Sequence, residues 1–233
     1  MKVSLSKGEV LHASERPPDN VYFLDEGVAG LSVRSEKGKA LQLSFVGSES
    51  VVGERAIFKK GVFVTGCAML TDGSGHRMPP EIFHQEFERG AVLRDLVLCR
   101  LKARITETAQ TALCNQVHSL EQRLNRWLLT FADRLQSEEL LTTHEFISDM
   151  LGVGRADISR TAGRFRGKLI DYSRGNLTIV NRVGLQEKTC ECYRIIKRAI
   201  KEFTDPRHVT HSAVSHQLLV HATKTKSAGG SRG

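Results

Sequence analysis

Arg155, Arg160, Arg164 and Arg166 fall in one short stretch, interleaved with apolar Ile158, Ala162, Phe165 and Leu169 at helical spacing. A helix with that pattern turns its apolar side inward and leaves the guanidiniums outside. A guanidinium presents fixed donors that match phosphate oxygens and the guanine edge, so a row of them suits a polyanion. The segment before it supplies a companion helix. Thr143 can cap that helix, with Glu145 and Phe146 in its first turn and Ile147, Met150 and Leu151 following at helical spacing. Gly152 ends it where a left-handed backbone is needed, and Val153 plugs the tight turn. A helix, a glycine-centred turn and an arginine-bearing helix can lay the second helix in a major groove, although other helical hairpins look similar. Leu169 to Tyr172 and Leu177 to Val180 then read as strands joined by Ser173-Arg174-Gly175-Asn176. Such a hairpin is a wing, and Arg174 at its tip would reach a phosphate or the adjacent groove.

Other groups capable of chemistry form no catalytic constellation. Gly163-Arg-Phe-Arg-Gly167-Lys168-Leu169 is one residue short of a phosphate-binding loop, and Leu169 replaces the hydroxyl that would hold Mg²⁺. Cys190 and Cys192 invite a metal, but residues two apart on a helix point about 200° away from each other, so a packing role is expected and no metal site is assigned. Cys67, Cys99 and Cys114 read as small buried apolar side chains. An odd count of five cysteines argues against a disulfide framework. His208, His211, His216 and His221 are irregularly spaced in a polar tail and read as solvated. No nucleophile elbow, metalloprotease helix or dinucleotide fingerprint occurs, so an enzyme is not expected, and no cofactor is assigned.

The rest of the chain must position the arginine-bearing helix. Up to about Leu70, short apolar runs such as Val21–Leu24, Val28–Val33 and Ala40–Val46 alternate with turn residues, the rhythm of an antiparallel barrel or sandwich. Past Pro79-Pro80 the pattern becomes helical. Leu98, Leu101, Ile105, Thr108 and Ala112 follow a 3–4–3 spacing that suits a helix pairing with its twin, or a plain core helix. A second amphipathic helix runs from about His118 through Leu124, Trp127, Leu128 and Phe131. The expected division is a β-roll sensor at 1–89, a dimerisation helix at 90–117, a winged helix-turn-helix at 118–203 and a mostly disordered basic tail at 204–233, with a short helix possible at 214–222.

The charge supports that division. Residues 1–98 hold 12 basic and 13 acidic side chains, whereas residues 141–203 hold 12 and 7. A basic C-terminal half points to a polyanion, usually nucleic acid, or else to a solvated basic face. No secretory signal and no apolar run of roughly 18 residues is present, so a cytoplasmic, membrane-free protein is expected.

Leu120–Leu129, Asp133-Arg134, Thr143-His-Glu-Phe146, Met150–Arg155, Arg174-Gly175 and Cys190-Glu-Cys-Tyr193 resemble the Crp–Fnr transcription regulators, most of all the subgroup ending in a Cys-x-Cys-Tyr helix. The resemblance spans about residues 5–200 and is looser in the β-roll, where Gly8–Leu11, Val21–Phe23, Gly27 and Val52-Gly53 carry it. It implies an α+β fold: a cyclic-nucleotide-binding-like β-roll, a long dimerisation helix and a winged helix-turn-helix. It also implies a homodimer on a palindromic double-stranded DNA operator, with RNA polymerase as a further partner and a small-molecule effector that the sequence does not name. The family's recognition helix carries two arginines and an acidic residue that contact DNA. Arg155 and Arg160 fall on the arginine positions. Ala156 stands where readers of one well-known operator have Glu, so that operator is not implied. The candidate DNA contacts are Thr143, Arg155, Asp157, Ser159, Arg160, Arg164 and Arg174.

Three departures bear on sensing. The family's leading helix is absent from the start of the chain, as if the start were truncated or misassigned. Gly53 and Glu54 could mimic the start of a cyclic-nucleotide phosphate site, but Gly61 to Leu70 holds no arginine to pair with the phosphate. No cysteine precedes Cys67, so the iron–sulfur ligand set of oxygen-sensing members is missing. The reading from another class is a basic protein-interaction module with a vestigial sensor domain.

Overall fold

The computed structural model describes residues 1–58, 61, 63–90, 92–173 and 175–204, with side chains as far as Lys201. Arg174 and the tail from 205 onward, including the helix expected at 214–222, lie outside the described residues.

The N-terminal part is a β-roll of two four-stranded antiparallel sheets. One runs in the order β1 (Lys2–Leu5), β8 (Gly73–Met78), β3 (Val21–Glu26), β6 (Val51–Val52). The other runs β2 (Val10–His12), β7 (Thr65–Met69), β4 (Ala29–Arg34), β5 (Ala40–Val46). Alternation along these strands sends Leu5, Leu11, Leu24, Leu31, Val46, Cys67 and Met69 into a shared interior. The sensor therefore has its own core.

The breaker-poor stretch after Pro80 forms three helices. They are α1 (Pro80–Glu88), α2 (Val92–Val117) and α3 (Leu120–Leu135). Gly90 separates the first two. Ser119 starts α3 through a capping box, its Oγ accepting from Gln122 N while the Gln122 side chain accepts from Ser119 N. On α2, Leu93, Val97, Ala103, Thr111 and Cys114 are buried at helical spacing. Two polar groups on that side tie the helix to β5: Thr111 donates to Leu43 O at 3.2 Å, and Glu107 accepts from Phe45 N at 3.3 Å.

The C-terminal domain continues with β9 (Glu139–Leu141), α4 (His144–Leu151), α5 (Arg155–Phe165), β10 (Ile170–Ser173), β11 (Asn176–Ile179), α6 (Arg182–Glu187) and α7 (Glu191–Thr204). The sheet order is β10-β11-β9. Its core is not separate from the sensor. Val28, Phe45 and Leu70 of the β-roll share one cluster with Leu124, Trp127, Phe131, Ile147, Ile158 and Leu177. Phe45 stacks on Phe131 at 5.2 Å and meets Trp127 edge-on at 5.4 Å, while Trp127 Nε1 donates to Gln42 Oε1 at 3.1 Å.

Candidate nucleic-acid interface

Thr143 caps α4, its Oγ1 accepting from Phe146 N at 3.1 Å. Gly152 closes the helix at φ +65°, the left-handed backbone that a side chain would strain. The chain then turns into α5. Ile158, Ala162 and Phe165 are buried against the shared core, while Arg155, Ala156, Ser159, Arg160, Gly163 and Arg164 lie on the exposed side. A Cβ built on Gly163 meets nothing within 4 Å, so that side is smooth as well as basic. The recognition helix is thus Arg155–Phe165, slightly shorter than the span of about 154–167 that the arginine and apolar spacing predicts, because Arg166 has already left helical geometry.

The candidate contacts are unequal in freedom. Arg160 pairs with Asp157 at 3.1 Å in an exposed i,i+3 bridge. Ser159 Oγ lies 3.1 Å from His144 Nδ1, and the His144 ring packs on Tyr172 at 4.3 Å between centroids. Tyr172 in turn donates its hydroxyl to Thr142 O at 2.8 Å. Sequence reasoning missed this column, since His144 is a lone histidine whose partners come from α5 and β10. Burial, then the charge of Arg155, hold His144 below its ordinary pKa, which favours the neutral ring. Arg166 lies beyond α5 and reaches toward Asp171 at 3.8 Å. β10 and β11 pair from Ile170↔Ile179 to Ser173↔Asn176, which makes the wing a two-residue hairpin.

The candidate dimer residues split. Leu98 and Ile105 are 49% and 70% exposed, and Ala112 is exposed too. Thr108 is half-buried, and Leu101 packs against the cluster of Val21, Phe83, Leu93 and Val97. The outward line is therefore Leu98, Ile105 and Ala112, extended by exposed Leu113 and Val117.

In the sensor, Gly53 takes φ +87° and opens a short 3₁₀ turn, Glu54–Ile57. Glu54 is buried, and its carboxylate meets Arg104 of α2 at 2.8 Å. Arg55 donates to Thr65 O, Ala13 O and Arg16 O at 2.8, 2.6 and 2.7 Å. These buried guanidiniums are engaged with internal acceptors. A second ionic link spans the domains: Arg134 of α3 meets Glu49 at 3.2 Å and Glu107 at 3.3 Å. Beside it, a cleft of about 320 Å³ is lined by Ser48, Glu49, Thr130, Asp133 and residues of α7.

The expected divergence of Cys190 and Cys192 does not hold. Cys190 precedes α7 rather than lying on it, so both thiols turn toward Cys114 and His118 at the end of α2.

A β-roll, a long helix and a winged helix-turn-helix with a basic exposed helix define a DNA-binding regulator. The Crp-like helix-turn-helix domain profile matches residues 122–188, and the cyclic nucleotide-binding domain profile matches residues 2–89. Together they cover about two thirds of the chain, and the chain belongs to the Crp–Fnr family of transcription regulators. It is a DNA-binding transcription regulator controlled through its sensor domain. Solved structures share the fold at low identity. FixK2 from Bradyrhizobium japonicum is 15% identical with a TM-score of 0.69, covering 82% of this chain and 97% of that one. A Crp/Fnr-family transcriptional regulator from Thermus thermophilus is 22% identical with a TM-score of 0.62, covering 80% and 97%. The c-di-GMP-responsive regulator CLP from Xanthomonas campestris is 14% identical with a TM-score of 0.62, covering 77% and 93%. No curated protein sequence matches the chain. Among the described residues no helix is long and apolar enough to cross a membrane.

Proposed function

We propose that the chain acts in the cytoplasm as a homodimer that reads an inverted-repeat operator with α5 and there contacts RNA polymerase. The observation that carries this is the pairing of two surfaces: exposed arginines on the outer side of α5 and exposed Leu98 and Ile105 on α2. The division at 1–89, 90–117 and 118–203 assigns sensing, pairing and reading. Arg155 and Arg160 contact base edges, Arg164 and Thr143 contact phosphates, and Asp157 and Ser159 orient their neighbours. Arg174 belongs to the wing. Twofold pairing along α2 places the half-sites about one helical turn apart. An effector acts by favouring one of two dimer arrangements. Engagement of Glu54 with Arg104 and of Arg55 with carbonyls supports a signal other than a cyclic nucleotide phosphate.

Selection of duplexes from a random pool tests the reading role. Arg155→Ala and Arg160→Ala each weaken specific binding by about 1–3 kcal/mol and relax one base position per half-site. An unchanged motif and affinity in both variants removes α5 as the reader. Light scattering tests the pairing: wild type runs as a dimer at micromolar concentration, and Leu98→Lys with Ile105→Lys runs as a monomer with weak operator binding.

A further inference from the structure

The end of α2 and the start of α7 bring together four side chains that DNA reading does not use. Cys114 and His118 stand one turn apart, with His118 N donating to Cys114 O at 3.1 Å. Cys190 and Cys192 come from the segment entering α7, which packs along α2. Cys114, Cys190 and Cys192 are buried, at 0%, 3% and 0% exposure, and the His118 side chain is 11% exposed. The Cys114 and Cys190 sulfurs are 3.6 Å apart, and the Cys192 sulfur is 3.7 Å from His118 Nδ1. All four donor atoms lie within 4.8 Å of one another.

Those separations are the edges of a small tetrahedron. Zinc–sulfur bonds of about 2.3 Å and zinc–nitrogen bonds of about 2.0 Å place tetrahedral ligands roughly 3.5–3.8 Å apart. The shortest edges already match, and the longest needs only side-chain adjustment. Three sulfurs and one imidazole nitrogen form a soft donor set of the kind that holds Zn²⁺. An iron–sulfur cluster interposes several irons and sulfides between its protein ligands, and donors this close leave no room for one. A disulfide between Cys114 and Cys190 would need a sulfur separation of about 2.05 Å.

The surroundings fit the same ion. His118 turns Nδ1 to the thiols, while its Nε2 faces Glu191 Oε2 at 3.3 Å. A carboxylate there fixes the tautomer that leaves Nδ1 free to coordinate. Three thiolates around a divalent ion leave one net negative charge, and Arg126 meets it by donating from Nε to Cys114 Sγ at 3.3 Å. Four protein donors and burial leave no position open for a substrate, which is the pattern of a structural site.

We propose that Cys114, His118, Cys190 and Cys192 form a closed tetrahedral zinc site that pins the last helix of the DNA-binding domain to the end of the long helix. The ion replaces three thiol protons and sits where the orientation of the reading domain relative to the dimer axis is set. Zinc release, by chelation or thiol oxidation, loosens α7 from α2.

The test uses the full chain, produced in zinc-supplemented cells and purified with reductant present. Elemental analysis gives about one zinc per chain, and chelator treatment followed by cobalt gives tetrahedral Co²⁺ absorption with thiolate charge-transfer bands. Zinc content falls at least about tenfold in Cys192→Ser and in His118→Asn, and is unchanged in Cys99→Ser, whose thiol lies outside the cluster. Wild-type cobalt uptake decides the matter even where a variant does not fold. Wild-type protein that holds no zinc and takes up no cobalt overturns the proposal. So does full zinc content in a folded Cys192→Ser, or a Cys114–Cys190 disulfide in protein alkylated at once under anaerobic conditions.

Discussion

Arginines in the sensor and arginines on α5 meet opposite environments. Arg55 and Arg104 lie inside or against the β-roll, with their donors engaged by backbone carbonyls and Glu54. Arg155, Arg160 and Arg164 stand exposed, and Arg160 pairs with the solvated carboxylate of Asp157. A guanidinium whose charge is met by internal acceptors organises a fold, whereas one turned to solvent can organise a ligand. The location of arginines, more than their number, therefore separates the scaffold from the surface that binds DNA.

Breaking the buried side of the contrast has the largest expected effect. Arg104→Met leaves Glu54 without its cation in a place closed to water, and should lower stability by about 3–5 kcal/mol. Glu54→Gln in the same chain should restore most of that loss. Urea unfolding at fixed protein concentration measures both. Equal stabilities for Arg104→Met and wild type would falsify the assignment of Glu54–Arg104 as a buried link.

The next effect is a pH dependence in the same interior. Burial, then Arg55 and Arg104, push the His12 pKa down from 6.5 to about 4. The unfolded chain takes up this proton near pH 6.5, whereas the folded chain resists it until about pH 4. The contribution is therefore complete above pH 6.5 and is lost as pH falls through the folded value, about 3 kcal/mol in all. Unfolding free energies measured across that window should flatten in His12→Asn. A slope identical to wild type would show that other groups carry the acid sensitivity.

On the exposed side the effects are smaller and appear in binding. Arg164→Ala should weaken specific and random duplexes alike and reduce the salt slope by about one unit. A loss confined to one sequence would instead make Arg164 a base reader. Asp157→Asn frees Arg160 from a surface pair worth about 0.2–1 kcal/mol, and should tighten random-duplex binding a few-fold. Titrations at two salt concentrations distinguish that gain from a change in specificity.

What was legible from sequence follows the range of the interaction. Thr143 and Gly152 announced a helix start and stop because capping acts within a few residues, and the turn geometry is as expected. The wing hairpin was visible for the same reason. β9 was not, since Glu139–Leu141 is extended only because β11 offers an edge to pair with. The 3–4–3 line on α2 was visible, but not the rotation that turns Leu101 toward Phe83 while Ile105 faces out. The convergence of Cys114 with Cys190 joins residues 76 apart, and it depends on Cys190 preceding its helix. Spacing rules that assume a continuous helix fail at such a boundary.

The stacking of Phe45 on Phe131 bears on how such proteins diversify. Sensor and reader are often pictured as beads that recombine freely through a linker. Here the reader borrows an aromatic ring from the sensor to close its own interior, with Val28 and Leu70 alongside. A reader cut out at residue 118 would bare Trp127 and Phe131 to water, and a foreign sensor would have to offer an aromatic ring at the same place. Exchange of parts is therefore constrained by packing, because three sensor side chains, Val28, Phe45 and Leu70, complete the interior of the reader.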